Sequence, residues 1–321
     1  MPVATPIIKT KLGRTNLETT NICFGTSGLG DMPETYGYSV TEDRAKATVR
    51  AVFSGPANFF DTSRIYGMGR SEQRLGAVIR ELGGLPKGFV VSTKLDRDFK
   101  TDRFDAAQAR RSLEESLRAL GLDRIKLLHF HDPERCASLG EATRRDGPIA
   151  ELFKMKEEGL TQAVGLAAGD VDVMMPLLKD WPFDAMITHN RFTLINRNAE
   201  PMIDFAVAKG IAVLNAAPFG GGLLAKGAQF GRYAYTEASD RTLAPVRQIE
   251  AICARHGIPL GAAALQFSLR DKRIASTICG VTRPERVRET LDWAAWPISD
   301  NVWQELLKVP ASTANPEAKS D

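Results

Sequence analysis

Short apolar runs rich in valine, isoleucine and phenylalanine alternate along this chain with longer stretches of helical period. The runs at 21–25, 58–61, 89–94, 125–131, 162–166, 185–189, 211–214 and 275–279 read as strands. Between them, 42–54, 72–82, 106–120, 148–158, 171–179, 201–209, 244–256 and 284–294 read as helices. In the third helix Leu113, Leu117 and Leu120 recur at spacings of four and three, while arginines and glutamates fill other positions. Thr41 before Glu42 and Asp43 has the chemistry of an N-cap with acids in the first turn. Gly121, Gly159 and Gly210 each follow a helix, where the chain needs a left-handed residue.

Eight strand–helix units with few long gaps predict a closed (β/α)8 TIM barrel, one domain over residues 1–309. An open doubly wound sheet would need a G-x-G-x-x-G turn opening a helix. The cluster Gly25, Gly28, Gly30 has the wrong spacing and runs into Asp31-Met32-Pro33, which does not start one. Residues 7–20 read as a short N-terminal β-hairpin closing the barrel bottom. Residues 215–243, long and glycine-rich, read as an extended, functional βα loop. The segment 310–321 is small, polar and proline-bearing, a C-terminal tail expected to fray.

Composition narrows the function classes. The hydrophobic share of 43% and charged share of 25% belong to an ordinary globular protein. The 42 basic residues against 39 acidic ones are dispersed, so no nucleic-acid stripe is expected. Cys23, Cys136, Cys253 and Cys279 lie far apart with no C-x-x-C pair, which suits reduced thiols and no metal. Residues 1–11 lack an apolar leader core, and no run nears the ~20 residues a membrane span needs, so a cytoplasmic protein off the membrane is expected.

In a barrel of this kind the chemistry sits where strands end and βα loops begin. Asp61 ends the second strand, and Tyr66 follows five residues on. Lys94 ends the third strand and His131 the fourth. Together they form a proton-transfer device. A phenol can protonate a carbonyl oxygen that receives hydride, but its ordinary pKa of about 10 is too high for work near neutrality. A lysine beside it lowers that pKa, an aspartate holds the lysine, and a histidine can bond the substrate oxygen or the phenol. Taken singly, Asp61 could cap a turn, Tyr66 be a loop aromatic, Lys94 snorkel to the rim and His131 be a satisfied core residue. Their joint placement on three consecutive strand ends favours the device.

The stretch Phe60-Asp61-Thr62-Ser63-Arg64-Ile65-Tyr66-Gly67-Met68-Gly69-Arg70-Ser71-Glu72 closely resembles the signature of the aldo-keto reductases, and Ser92-Thr93-Lys94 with His131 resembles that family's lysine and histidine. The resemblance runs from about Lys11 to Val309. It implies the (β/α)8 barrel, NAD or NADP extended across the C-terminal face, and the tetrad Asp61, Tyr66, Lys94 and His131. Where many members hold the nicotinamide amide with Ser-Asn, this chain has Ala167-Ala168. Where they have glutamine it has His189, followed by Asn190, and their stacking aromatic corresponds to Ala216. The resemblance therefore implies a nicotinamide end formed by His189, Asn190, Ala216, Pro218 and Gly220. Its adenosine end would comprise Gly280, Thr282, Arg283, Arg286 and Thr290. The lysine and asparagine of many NADP-dependent members are replaced by Gly280 and Thr290, which leans the expectation slightly to NAD.

The runs His129-Phe130-His131-Asp132-Pro133-Glu134 and Asn215-Ala216-Ala217-Pro218-Phe219-Gly220 resemble the aldose 1-dehydrogenase branch (L-galactose, L-fucose and D-threo-aldose dehydrogenases). That branch implies oxidation of a sugar's anomeric carbon to a lactone. The alternatives are an NADPH-dependent reductase of small aldehydes or ketones, a pyridoxal-type alcohol dehydrogenase, and a non-enzymatic cofactor-binding subunit. The family default is a monomer with a small-molecule substrate.

Overall fold

The computed structural model describes residues 7–136 and 138–317. Residues 1–6, part of the segment expected to hold no leader, and 318–321 of the expected tail lie outside the described residues. The strands are β1 (Lys9–Lys11), β2 (Glu18–Thr20), β3 (Ile22–Gly25), β4 (Phe59–Asp61), β5 (Val90–Leu95), β6 (Ile125–His131), β7 (Thr161–Ala167), β8 (Ala185–His189), β9 (Ala212–Ala216), β10 (Arg232–Tyr233), β11 (Thr236–Glu237) and β12 (Ile274–Gly280). β3 to β9 and β12 close a parallel barrel in chain order, with β12 pairing both β9 and β3. β1 and β2 pair antiparallel, and the turn between them sends Leu12 and Leu17 into the barrel interior. The hairpin thus plugs the bottom, as expected.

Each barrel strand is buried on both faces, and alternate residues divide between two cores. Phe59, Val90, Leu127 and Ala163 fill the interior, while their neighbours Phe60, Val91, Leu128 and Val164 pack outward against the helices. Helices at Glu42–Phe53, Arg70–Glu81, Ala106–Leu120, Pro148–Glu157, Val171–Asp180, Glu200–Ala208, Asp240–Arg255 and Pro284–Ala294 match the sequence pattern to within a few residues. Thr41 accepts a hydrogen bond from the Arg44 N–H at 3.3 Å, as an N-cap should.

The helix Asp240–Arg255 forms but does not occupy the barrel layer that the alternation predicts for it. The layer after β9 is filled by Leu260–Leu269, which packs against β12 and the helix Pro284–Ala294. Asp240–Arg255 instead packs against Leu260–Leu269 and the helix Asp300–Leu306. The sequence LGAAALQFSL has no polar stripe because most of it is buried, so the helical period disappears from it. The expected fraying of the tail also fails for residues 310–317. Ser312 bridges to Asn196, and the Ser312 carbonyl accepts the Arg197 N–H at 2.7 Å. Asn196 and Asn198 donate to the carbonyls of Ala314 and Thr313. These asparagines supply donors to backbone that would otherwise be solvated.

Glu72, on the helix Arg70–Glu81, is fully buried behind β5, with Oε1 accepting the Thr93 hydroxyl at 2.5 Å. Burial lifts its carboxyl from 4.5 to about 7. The folded chain therefore holds a proton there that the unfolded chain releases, and this stabilisation is lost as pH rises through that window. Glu72→Gln removes the titration. Its unfolding free energy relative to wild type is expected to rise between pH 5 and pH 8 by up to roughly 3 kcal/mol. Denaturant curves of both proteins at the two pH values test this, and an unchanged difference would refute it.

Candidate active site

Asp61, Lys94 and His131 stand at the C-terminal ends of β4, β5 and β6, with Asp61 registered on Ser92 and Lys94 on His129. Lys94 Nζ donates to Asp61 Oδ2 and to the Thr62 carbonyl, each at 2.7 Å, in a pair almost wholly removed from water. Asp61 Oδ1 accepts the Ser92 hydroxyl at 2.9 Å. Lys94 Nζ lies 4.9 Å from the centre of the Tyr66 ring, and the Tyr66 and His131 rings meet edge-on at 6.0 Å. The four expected residues are thus brought together.

The motif around Tyr66 has a structural explanation. Gly67, at φ +61°, lies so close to Gly30 that a Cβ would sit 1.9 Å from the Gly30 carbonyl oxygen. This presses the Tyr66 turn onto the segment 27–30. Arg70 reinforces the contact by donating to the carbonyls of Gly30 and Asp31. Ser71 donates to Thr26, and Glu72 holds Thr93 beside Lys94. The signature residues outside the tetrad thus fix the turn that presents Tyr66.

The electrostatics depart from expectation at one point. Burial raises the Tyr66 hydroxyl well above its ordinary value, and Asp61, Tyr36, Asp132 and Asp96 push the same way. The phenol is therefore protonated at neutral pH. The expected lowering by Lys94 does not prevail, because that ammonium is bonded to Asp61 while further carboxylates surround the ring. His131 is bracketed by acids, with Nδ1 2.5 Å from Asp96 Oδ1 and Nε2 3.4 Å from Asp132 Oδ1. Burial opposes a charged imidazole, but Asp132 and Asp96 outweigh it and raise His131 above its ordinary value.

These residues open into a cavity of about 760 Å³ that extends to Thr282, Arg283 and Arg286 at the start of the helix Pro284–Ala294. Gly221, Gly222 and Gly280 line it, and a Cβ on Gly280 would meet nothing. Arg44, Lys226 and Arg283 also face it and have no acidic partner within ion-pair distance among the described residues. A long cleft with unpaired cations beside a helix start fits an extended pyrophosphate-bearing cofactor.

Of the residues expected at the cofactor, His189, Ala216, Gly280, Thr282, Arg283 and Arg286 line the cavity. Asn190, Pro218, Gly220 and Thr290 do not. Asn190 is fully buried, and its amide donates to Glu317 Oε1 at 3.1 Å. Gly220 backs onto the Tyr233 ring. Pro218 is buried in the turn after β9, and the Thr290 hydroxyl bonds the Arg286 carbonyl within its own helix.

Sequence reasoning missed two acidic groups. Asp96 lies two residues beyond Lys94, and the period of a strand would have placed both side chains on one face. Glu317 reaches back from the tail, with Oε1 3.2 Å from His189 Nδ1 and 3.4 Å from the Arg191 guanidinium. Burial opposes its charge, yet His189, Arg191 and Asn190 hold it ionised, down to about 2. No local pattern announces a contact spanning more than a hundred residues.

Residues 21–310 match the model of the Aldo/keto reductase family. The chain is 31% identical to D-threo-aldose 1-dehydrogenase of a Pseudomonas species, over 89% of this chain and 92% of that protein. It is 32% identical to L-galactose dehydrogenase of Arabidopsis thaliana, over 87% of this chain and 86% of that protein. The holo form of an aldo-keto reductase from Bacillus halodurans superposes with a TM-score of 0.78 at 20% identity, covering 97% of this chain and 98% of that one. The chain therefore belongs to the aldo/keto reductase family and is an NAD(P)-dependent oxidoreductase acting on CH–OH or C=O groups.

Proposed function

We propose that this enzyme oxidises the anomeric carbon of a free aldose to the lactone, with NAD as the acceptor. The observation that carries this reading is a pair of acids lining the cavity that holds the tetrad, one of them beside His131. Asp132, at 27% side-chain exposure, and Glu134 line the cavity next to the tetrad, with Arg97 and Arg135 nearby. A carboxylate accepts hydrogen bonds from sugar hydroxyls, whereas a small unsubstituted aldehyde offers such groups nothing. The likeness to D-threo-aldose 1-dehydrogenase and L-galactose dehydrogenase supports the same substrate class.

A bound nicotinamide would take or give the hydride at the reacting carbon. The chain's own residues handle the proton. Tyr66 exchanges it with the substrate oxygen as phenol or phenolate, and Lys94, held by Asp61, supplies positive charge beside the ring. His131 offers Nε2 to the same oxygen. His189 and Ala216 border the nicotinamide end, and Gly280, Thr282 and Arg283 the adenosine end. NAD is favoured over NADP because Arg286 is already neutralised by Glu289 at 2.6 Å, and that carboxylate would repel a 2′-phosphate.

The test is absorbance at the reduced-nicotinamide band with NAD or NADP and a panel of free aldoses at alkaline pH. Growth with a sugar and NAD is the expected result. Growth with NADP alone would overturn the cofactor assignment. No growth with any aldose, alongside consumption of reduced cofactor by small aldehydes, would replace the sugar reading with that of a carbonyl reductase.

A further inference from the structure

We infer that Asp96 is a positioning residue for proton transfer, holding both His131 and the Tyr66 turn from one buried carboxylate. Its Oδ1 meets His131 Nδ1 at 2.5 Å. Its Oδ2 accepts the Ser63 hydroxyl at 2.6 Å and the Ile65 N–H at 2.9 Å. Ile65 immediately precedes Tyr66, so one side chain ties the donor phenol's turn to the histidine across two strand ends. Asp96 is itself anchored: its N–H donates to Ser112 at 2.9 Å and its carbonyl accepts from Gln108 at 3.1 Å. Such a fixed carboxylate has a direct chemical consequence. An acceptor-only group against Nδ1 requires the proton on Nδ1, which turns Nε2 toward the cavity.

The groups facing His131 define its charge. Asp96 and Asp132 lie on its two nitrogens, and the Tyr66 ring meets it edge-on. Lys94, on the neighbouring strand, is bonded to Asp61, and His129 on the same strand is held neutral by burial and by Lys94. Two carboxylates thus face the imidazole against one ammonium that already has its own partner. Asp96 and Asp132 thereby favour the imidazolium, in which Nε2 donates a hydrogen bond, to higher pH than in an ordinary histidine.

The experiment is nitrogen-15 NMR of histidine-labelled protein. The chain has only four histidines, and His131→Gln assigns the signal. In the wild type, His131 should carry its proton on Nδ1 when neutral and should titrate above an ordinary histidine. In Asp96→Asn the titration should move down by a full pH unit or more. The turnover number should fall by roughly 100-fold with its alkaline limb shifted to lower pH. Turnover is followed with whichever aldose or small aldehyde is active, so the NMR result stands apart from the identity of the substrate. Affinity for NAD, read from quenching of tryptophan fluorescence, should stay within about twofold of wild type, since Asp96 does not line the cavity. Superimposable His131 titrations in the two proteins would overturn the inference, whatever the loss of turnover. If Asp96→Asn does not fold, the wild-type spectrum decides: a neutral His131 protonated on Nε2, or a titration below the ordinary value, overturns it.

Discussion

Tyr66→Phe is expected to bind nicotinamide cofactor as the wild type does and to turn over substrate roughly 10²–10⁴-fold more slowly. The substitution removes one oxygen from a ring whose position is set by the backbone contact between Gly67 and Gly30 and by the Arg70 bonds, so the fold around it is retained. What disappears is the hydroxyl proposed to exchange a proton with the substrate oxygen. Cofactor affinity by fluorescence quenching and single-turnover rates separate the two properties. Retained turnover would eliminate Tyr66 as the proton donor. The raised pKa of this hydroxyl also gives a sign to the pH dependence. In the proposed mechanism reduction uses the phenol present at neutrality, whereas oxidation uses the phenolate and should accelerate as pH rises.

Asp61→Asn should damage stability and activity together. The wild-type pair is buried on both sides, with Lys94 at 2% and Asp61 at 5% side-chain exposure. Removing the negative charge leaves an ammonium in the barrel facing a neutral amide and the Thr62 carbonyl. Leaving a buried charge uncompensated costs about 3–5 kcal/mol. For a chain of this size that is a fall in thermal midpoint on the order of 10 °C. Turnover should drop as well, because Lys94 loses the anchor that keeps it against the Tyr66 ring. Scanning calorimetry or circular dichroism gives the midpoint. A shift under about 2 °C would mean that Lys94 finds another partner or loses its proton, and that the pair is not what holds it. The surface pairs serve as contrast. Arg288 and Asp292, both largely exposed, should lose little on the same kind of substitution.

Much of the fold is legible from local pattern. The eight barrel strands, the N-terminal hairpin and eight helices follow from alternating apolar runs and amphipathic stretches, because burial on two faces or on one imposes those periods on the residues themselves. The tetrad is equally legible, since strand ends in a barrel converge on one face and each of Asp61, Lys94 and His131 ends a strand. Legibility fails where burial is all-round. Leu260–Leu269 is wrapped by β12 and neighbouring helices, so its positions carry no polar side from which a period could be read. It fails again where a polar residue's partner is remote. Thr290 has the chemistry to meet a cofactor, yet its hydroxyl is taken by a carbonyl one turn back.

The amino-acid order alone was enough to specify a closed barrel with Asp61, Tyr66, Lys94 and His131 at its rim, because those features depend on near neighbours along the chain. Closure of the barrel decided the rest. It set Asp96 against His131, so that one imidazole faces two carboxylates, and it half-buried Tyr66 among acidic groups that raise its hydroxyl further above neutrality. It also carried Glu317 across to His189 at the cavity wall. Each of these is a meeting of residues from separate strands or from a distant tail. Charge and desolvation depend on distance through space, which periodicity along a chain does not encode.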